Sequence, residues 1–96
     1  LWKRDSSKKQ LAELFKILSD ESKLEILSLL RERRYYGGEL AKKLKLSTAT
    51  ISHHMSILLN GGLVVISKEG NRGYYVLDEN AMRKLLDQAR ELLLRE

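Results

Sequence analysis

Residues 38–60 read Gly38-Glu-Leu-Ala-Lys-Lys-Leu-Lys-Leu-Ser47-Thr-Ala-Thr-Ile-Ser-His-His-Met-Ser-Ile-Leu-Leu-Asn60. Leu40, Ala41 and Leu44 give the segment Glu39–Leu44 the inner face of a short helix. Lys45-Leu46 turns the chain, and Ser47 stands where a helix N-cap is wanted, ahead of a second helix reaching Asn60. Two short helices joined by a tight turn, the second capped by a hydroxyl residue, form a helix-turn-helix. In the second helix Ile51, Met55 and Leu58 fall three to four residues apart and face the core. Ala49, Ser52, His53 and Ser56 share the opposite face, with Thr48 and Thr50 at the N-terminal end. An ordinary solvent-facing helix carries Lys and Glu for solubility, whereas this one offers small hydroxyls, Ala and imidazole. Such groups approach a groove floor closely and hydrogen-bond base edges or phosphates, in the favourable field of a helix N-terminus.

The charge distribution points the same way. The chain has 96 residues, 18 Lys+Arg against 13 Asp+Glu, and a net charge of +5. Residues 31–75 hold eight bases (Arg31, Arg33, Arg34, Lys42, Lys43, Lys45, Lys68, Arg72) and three acids (Glu32, Glu39, Glu69), so this segment alone carries the surplus. A surplus confined to one stretch is the footprint of a polyanion-binding surface.

Outward from that stretch the pattern is helical on both sides. Residues 1–7 show no clear period and read as a loose lead-in to a single domain over 8–96. Leu11, Leu14, Phe15 and Leu18 follow the spacing of an amphipathic helix. Asp20 reads as the N-cap of another, with Glu21 in its first turn and Leu24, Ile26, Leu27, Leu29 and Leu30 spread over most of its circumference. Tyr35-Tyr36 reads as a short strand and Gly37-Gly38 as a turn. Beyond Asn60, Gly61-Gly62 supplies a left-handed helix end. The runs Leu63–Ser67 and Tyr74–Leu77 then flank a five-residue loop, Glu69–Gly73, as a hairpin. The hairpin tip presents Lys68, Asn71 and Arg72, a basic finger suited to lie beside a duplex. Asp78 caps a last helix with Met82, Leu85, Leu86, Ala89, Leu92 and Leu93 on one side. The candidate DNA-contacting set is therefore Lys45, Ser47, Thr48, Thr50, Ser52, His53 and Ser56, joined by Lys68, Asn71 and Arg72.

Residues 17–30, the run Gly38–Leu58 with its Ser-His-His stretch, the following Gly61-Gly-Leu-Val, and Gly70-Asn-Arg-Gly-Tyr-Tyr-Val-Leu77 together resemble the ArsR/SmtB-type winged-helix regulators over roughly residues 8–95. The resemblance implies a mainly α fold with a small β-hairpin, in the order helix-helix-helix-helix-hairpin-helix. It also implies a homodimeric repressor on an inverted-repeat operator, with the Ser47–Asn60 helix in the major groove and the wing on neighbouring backbone. Dimer contacts would come from the first and last helices, here Leu11, Leu14, Phe15, Leu18, Leu85, Leu86, Ala89, Leu92 and Leu93. Glu21 departs from the pattern, which often has proline there; Glu suits a first turn equally well.

Many members of that family sense metals, and the ligand inventory here argues against it. There is no cysteine at all, Glu39–Leu44 included, and the last helix has no histidine. His53 and His54 are adjacent on one helix and diverge by about 100°. His53 is read as DNA-facing, and His54 as a half-buried, satisfied histidine. No cofactor is expected, and neither a nucleophile set nor a glycine-rich phosphate loop supports an enzyme. With no long apolar span, the expected setting is the cytoplasm, with duplex DNA and a second copy as partners and no membrane; any effector, small molecule or protein, is unidentified. The competing reading is a winged helix used as a protein-interaction or dimerisation module of a larger regulator. Such a surface would more often show aromatic or aliphatic anchors than low-charge hydroxyls.

Overall fold

The computed structural model describes the backbone of residues 2–95 and the side chains of residues 7–95. Five helices and one hairpin follow in the order α1 (Trp2–Leu18), α2 (Glu21–Glu32), α3 (Gly37–Leu44), α4 (Thr48–Asn60), β1 (Val64–Glu69), β2 (Arg72–Leu77) and α5 (Glu79–Leu93). This is the expected mainly α winged helix-turn-helix. The lead-in expected over residues 1–7 differs: the backbone is helical from Trp2, since neither Gly nor Pro stands there to stop propagation from α1. Leu1 and the side chains of residues 2–6 lie outside the described residues.

Local chemistry sets most boundaries. Asp20 Oδ2 accepts the Lys23 N–H, Ser47 Oγ accepts the Thr50 N–H, and Asp78 Oδ1 accepts the Ala81 N–H, so all three expected N-caps are in place. Helix α3 starts at Gly37, where the sequence suggested only a turn. Glu39 Oε1 reaches back to accept the Tyr36 N–H, which satisfies a helix-start donor and draws both glycines into the first turn. A Cβ on Gly38 would sit 3.0 Å from the Tyr36 ring, so glycine also makes room for that ring.

Helix α4 ends in a Schellman motif. The Gly62 N–H donates to the Leu59 carbonyl and the Leu63 N–H to the Leu58 carbonyl, with Gly62 at φ +76°. Buried Leu58 and Leu63 complete the apolar contact that goes with it. The hairpin is tighter than the five-residue loop expected. Its antiparallel ladder runs from Val64↔Leu77 to Glu69↔Arg72 and closes over Gly70 and Asn71. The left-handed φ of Gly70 (+61°) permits this two-residue turn, and the opposed Glu69 and Arg72 suit its mouth. Tyr35 extends the sheet by a bridge, exchanging hydrogen bonds with Tyr75 at 3.2 and 2.7 Å.

The core joins all layers: Leu11 of α1, Ile26, Leu27 and Leu30 of α2, Leu40 and Ala41 of α3, Ile51, Met55 and Leu58 of α4, Tyr35, Leu63, Val64, and Leu85 of α5. Burying the leucine, isoleucine, valine and methionine side chains among these contributes about 1.5–3 kcal/mol each, offset by chain entropy. Helix α2 departs from expectation in one respect. Leu24, read as part of an apolar circumference, is half exposed, and Lys23 takes the inward place. Positions 23, 26, 27 and 30 form one face of a 3.6-residue helix, so the buried stripe passes through the lysine. Among the described residues no helix is long and apolar enough to cross a membrane.

Candidate nucleic-acid interface

Helices α3 and α4 pack against each other across the turn Lys45–Ser47, as a helix-turn-helix requires. The turn is made by Lys45, which holds a left-handed backbone (φ 57°) and lets the Leu46 N–H reach the Ala41 carbonyl at 3.0 Å. With Ile51, Met55 and Leu58 anchored inside, the outer face of α4 presents Thr48, Ala49, Ser52, His53 and Ser56, all exposed. Among the described residues the side chains of Thr48, Ser52, His53 and Ser56 make no protein hydrogen bond, so their donors and acceptors are free. Ser47 and Thr50, exposed as well, are bonded to each other. Ser47 Oγ caps the helix and donates to Thr50 Oγ1 at 2.9 Å, which leaves chiefly the Thr50 hydroxyl proton to offer. Both bonds fix the start of α4.

On the wing, Lys68 and Asn71 are exposed at the tip. Arg72 is also exposed, but its guanidinium lies 3.9 Å from the centroid of the Tyr36 ring. That contact belongs to a cluster sequence reasoning did not find. Arg34 lies over Tyr74 at 4.1 Å, Arg33 over Tyr35 at 3.7 Å, and Tyr36 meets Tyr74 edge-on at 5.9 Å. Arg34 is ion-paired with Glu69 of β1, and Arg33 with Glu39 of α3 at 3.2 Å. Stacked cations of this kind are worth about 0.5–1 kcal/mol each at exposed sites. Together they fasten the wing, at the end nearest its turn, to the segment that leads into α3. The doubled tyrosines 35–36 and 74–75 beside Arg33-Arg34 were the available signal. The Glu39 carboxyl sits below its ordinary pKa, mainly through the Tyr36 N–H and then Arg33.

His53 is exposed while His54 turns toward α2, their ring centroids 6.3 Å apart and their planes tilted by 48°. His54 is half-buried and faces α2: its Nδ1 lies 3.1 Å from Lys23 Nζ and 3.9 Å from Asp20 Oδ2. Burial first, and then the Lys23 ammonium, push its pKa below the usual histidine value, with Asp20 opposing. Among the described residues no three of His, Cys, Asp and Glu are grouped to hold a metal ion.

The first and last helices pack side by side. Leu11 and Leu85, expected in a dimer seam, are buried in the chain's own core, and Leu14, Leu18 and Ala89 pack against that core. Phe15, Leu86, Leu92 and Leu93 remain exposed, with Leu94 beside them. A groove of about 530 Å³ runs along α5, lined by Leu86, Ala89, Leu93 and Leu94 together with the charged Arg83, Asp87 and Arg90.

Residues 20–65 match the family described as bacterial regulatory protein, arsR family. The arsenical resistance operon repressor of Staphylococcus aureus is 42% identical over 72 residues, covering 75% of this chain and 69% of that protein. The chain belongs to the arsR family. It is a DNA-binding transcriptional regulator and not an enzyme. Among solved arsR-type structures, an ArsR-like transcriptional regulator from Rhodococcus sp. RHA1 superposes with a TM-score of 0.84 at 29% identity, covering 91% of this chain and 82% of that one. A homodimeric winged helix-turn-helix DNA-binding domain from Mycobacterium bovis gives 0.78 at 26% identity, covering 96% and 88%. The arsR match spans α2 to the first residues of β1, and so contains the whole helix-turn-helix.

Proposed function

We propose that this regulator is a cytoplasmic repressor that binds an inverted-repeat operator as a homodimer and carries no resident metal. One observation carries the reading: the outer face of α4 is exposed, low in charge and free of internal hydrogen bonds, within the segment that holds the net charge of +5. Thr48, Ser52, His53 and Ser56 would read base edges. Lys45, Lys68, Asn71 and Arg72 would hold phosphates, and Ser47 and Thr50 would present the N-terminus of α4 to the backbone. Exposed Phe15, Leu86, Leu92 and Leu93 supply the apolar surface for a second copy, in line with the homodimeric relative from M. bovis. Repression rests on the named activity of the S. aureus relative. The metal-free reading rests on a chain with no cysteine, whose two histidines both lie on α4 with divergent rings.

Selection from a random duplex library, followed by titration of the enriched sequence over a salt series, tests this. The expected product is a pseudo-palindrome with half-sites about one helical turn apart, bound with an affinity that falls steeply with salt. Absence of enrichment, or binding indifferent to salt, refutes it.

A further inference from the structure

Lys23 is the one buried charged side chain among the described residues. Its side chain lies between the start of α2 and the middle of α4, where the ammonium meets His54 Nδ1 at 3.1 Å and Asp20 Oδ2 at 3.5 Å. An ammonium has three donors and no acceptor, so this contact exists only if His54 Nδ1 offers a lone pair. The imidazole is then neutral, with its hydrogen on Nε2. No buried side-chain nitrogen lacks a partner and Nε2 has none within the protein, so Nε2–H reaches solvent.

We propose that Lys23 is a positioning residue of the DNA-binding surface: it ties α4 to the start of α2 through neutral His54, and protonation of His54 releases the tie and weakens sequence-specific DNA binding. The groups facing His54 decide the sign. From α2 come the Lys23 ammonium and the Asp20 carboxylate; from α4 itself comes exposed His53. Glu13 and Lys16 of α1 line a hollow with Lys23 and Ile57 beside this contact. Protonated His54 would set N–H against N–H and cation against cation, with only the partly exposed Asp20, 3.9 Å away, to compensate. One residue earlier on α4 stands His53 and two earlier Ser52, so the tie fixes the rotation at which the free donors are displayed. Protonation near DNA ordinarily tightens binding by adding positive charge. A loss in acid therefore has the opposite sign to the generic effect.

The test pairs two measurements on the full chain. Ring-nitrogen NMR of the free protein reads the tautomer and titration of His54. Anisotropy with the selected duplex, at constant ionic strength, reads affinity between about pH 7.5 and about pH 5.5, with circular dichroism to show that the chain stays folded. Expected are an Nε2–H tautomer at neutral pH and a loss of affinity of about tenfold in acid. His54→Asn keeps an acceptor where Nδ1 stands and does not titrate, so its affinity, at whatever level it has at neutral pH, should not fall in acid. Lys23→Met should weaken binding at neutral pH, abolish the acid loss and raise the His54 titration. Wild-type protein that binds but keeps its affinity while His54 takes up a proton overturns the positioning role, as does an Nδ1–H tautomer. If no duplex binds at any pH, DNA recognition fails and the positioning role with it, whatever the NMR shows of the contact.

Discussion

Ser47 does two things that a pair of substitutions separates: it caps α4, and it stands where that helix would meet a phosphate. Its Oγ accepts the Thr50 N–H at 3.0 Å and donates to Thr50 Oγ1 at 2.9 Å. Ser47→Ala removes both bonds and leaves a helix-start donor to water. The cost is about 1 kcal/mol, which for a domain of this size lowers Tm by about 4–8 °C. Ser47→Asp restores the cap, since aspartate serves as well as serine and complements the helix dipole; stability should return to within about 0.5 kcal/mol of wild type. Binding should not return. A carboxylate about 4 Å from a phosphate is repelled by about 1 kcal/mol under full water screening and by about 4 kcal/mol at the effective dielectric near a protein surface. That corresponds to an affinity loss between about fivefold and about a thousandfold, narrowing as salt rises. Thermal denaturation and anisotropy on the selected duplex read the two effects. If Ser47→Asp is stable and binds as tightly as wild type at low salt, the N-terminus of α4 does not face the DNA backbone and the proposed interface is refuted.

Further outcomes concern the seam, the turn and the wing. Leu93→Asp combined with Leu86→Asp alters only exposed positions, so the chain should fold but sediment as a monomer, whereas Leu85→Ala in the core should cost about 2–5 kcal/mol. An unchanged molecular mass for the double variant would place the seam elsewhere. Lys45→Gly relieves a left-handed lysine and should stabilise the fold by about 1 kcal/mol, yet weaken binding to every duplex and lower the salt slope by about one. Arg72→Ala should likewise weaken all sequences alike, while Ser52→Ala and His53→Ala should flatten the preference among them, as competition with scrambled duplexes would show.

The fold pH dependence has its own sign. The folded-state pKa of His54 lies below its ordinary 6.5. Its neutral form therefore imposes no linkage above that value, and stability falls as pH drops below it, because the unfolded chain takes the proton first.

What could be read from the sequence divides by range. Asp20, Ser47 and Asp78 announce their helices because capping is settled within three residues, and Ile51, Met55 and Leu58 because one face of one helix decides them. The start of α3 escaped notice because the paired glycines of a turn and of a first helical turn look alike until Glu39 is seen to bond back to Tyr36. Lys23 escaped because hydropathy assigns a lysine outward. Its inward place depends on an acceptor 31 residues away. The arginine–tyrosine cluster unites α2, α3 and the hairpin, so no local period could show it. Resemblance alone assigns Leu11 and Leu85 to a seam; their burial is a property of how α1 and α5 meet the remaining core.

The joint between α4 and β1 carries a mechanical consequence. Only Gly61, Gly62 and Leu63 separate helix from strand, two Schellman bonds lock them, and the arginine–tyrosine stacks hold the far side of the hairpin. On the proposed reading, α4 and the wing would therefore act as a single stiff fork, with only three residues between its prongs. A fork of fixed gauge cannot stretch to suit a longer or shorter site. In a two-copy assembly, tolerance for half-site spacing would belong to the contact between the handles, formed by α1 and α5, and would be tuned there.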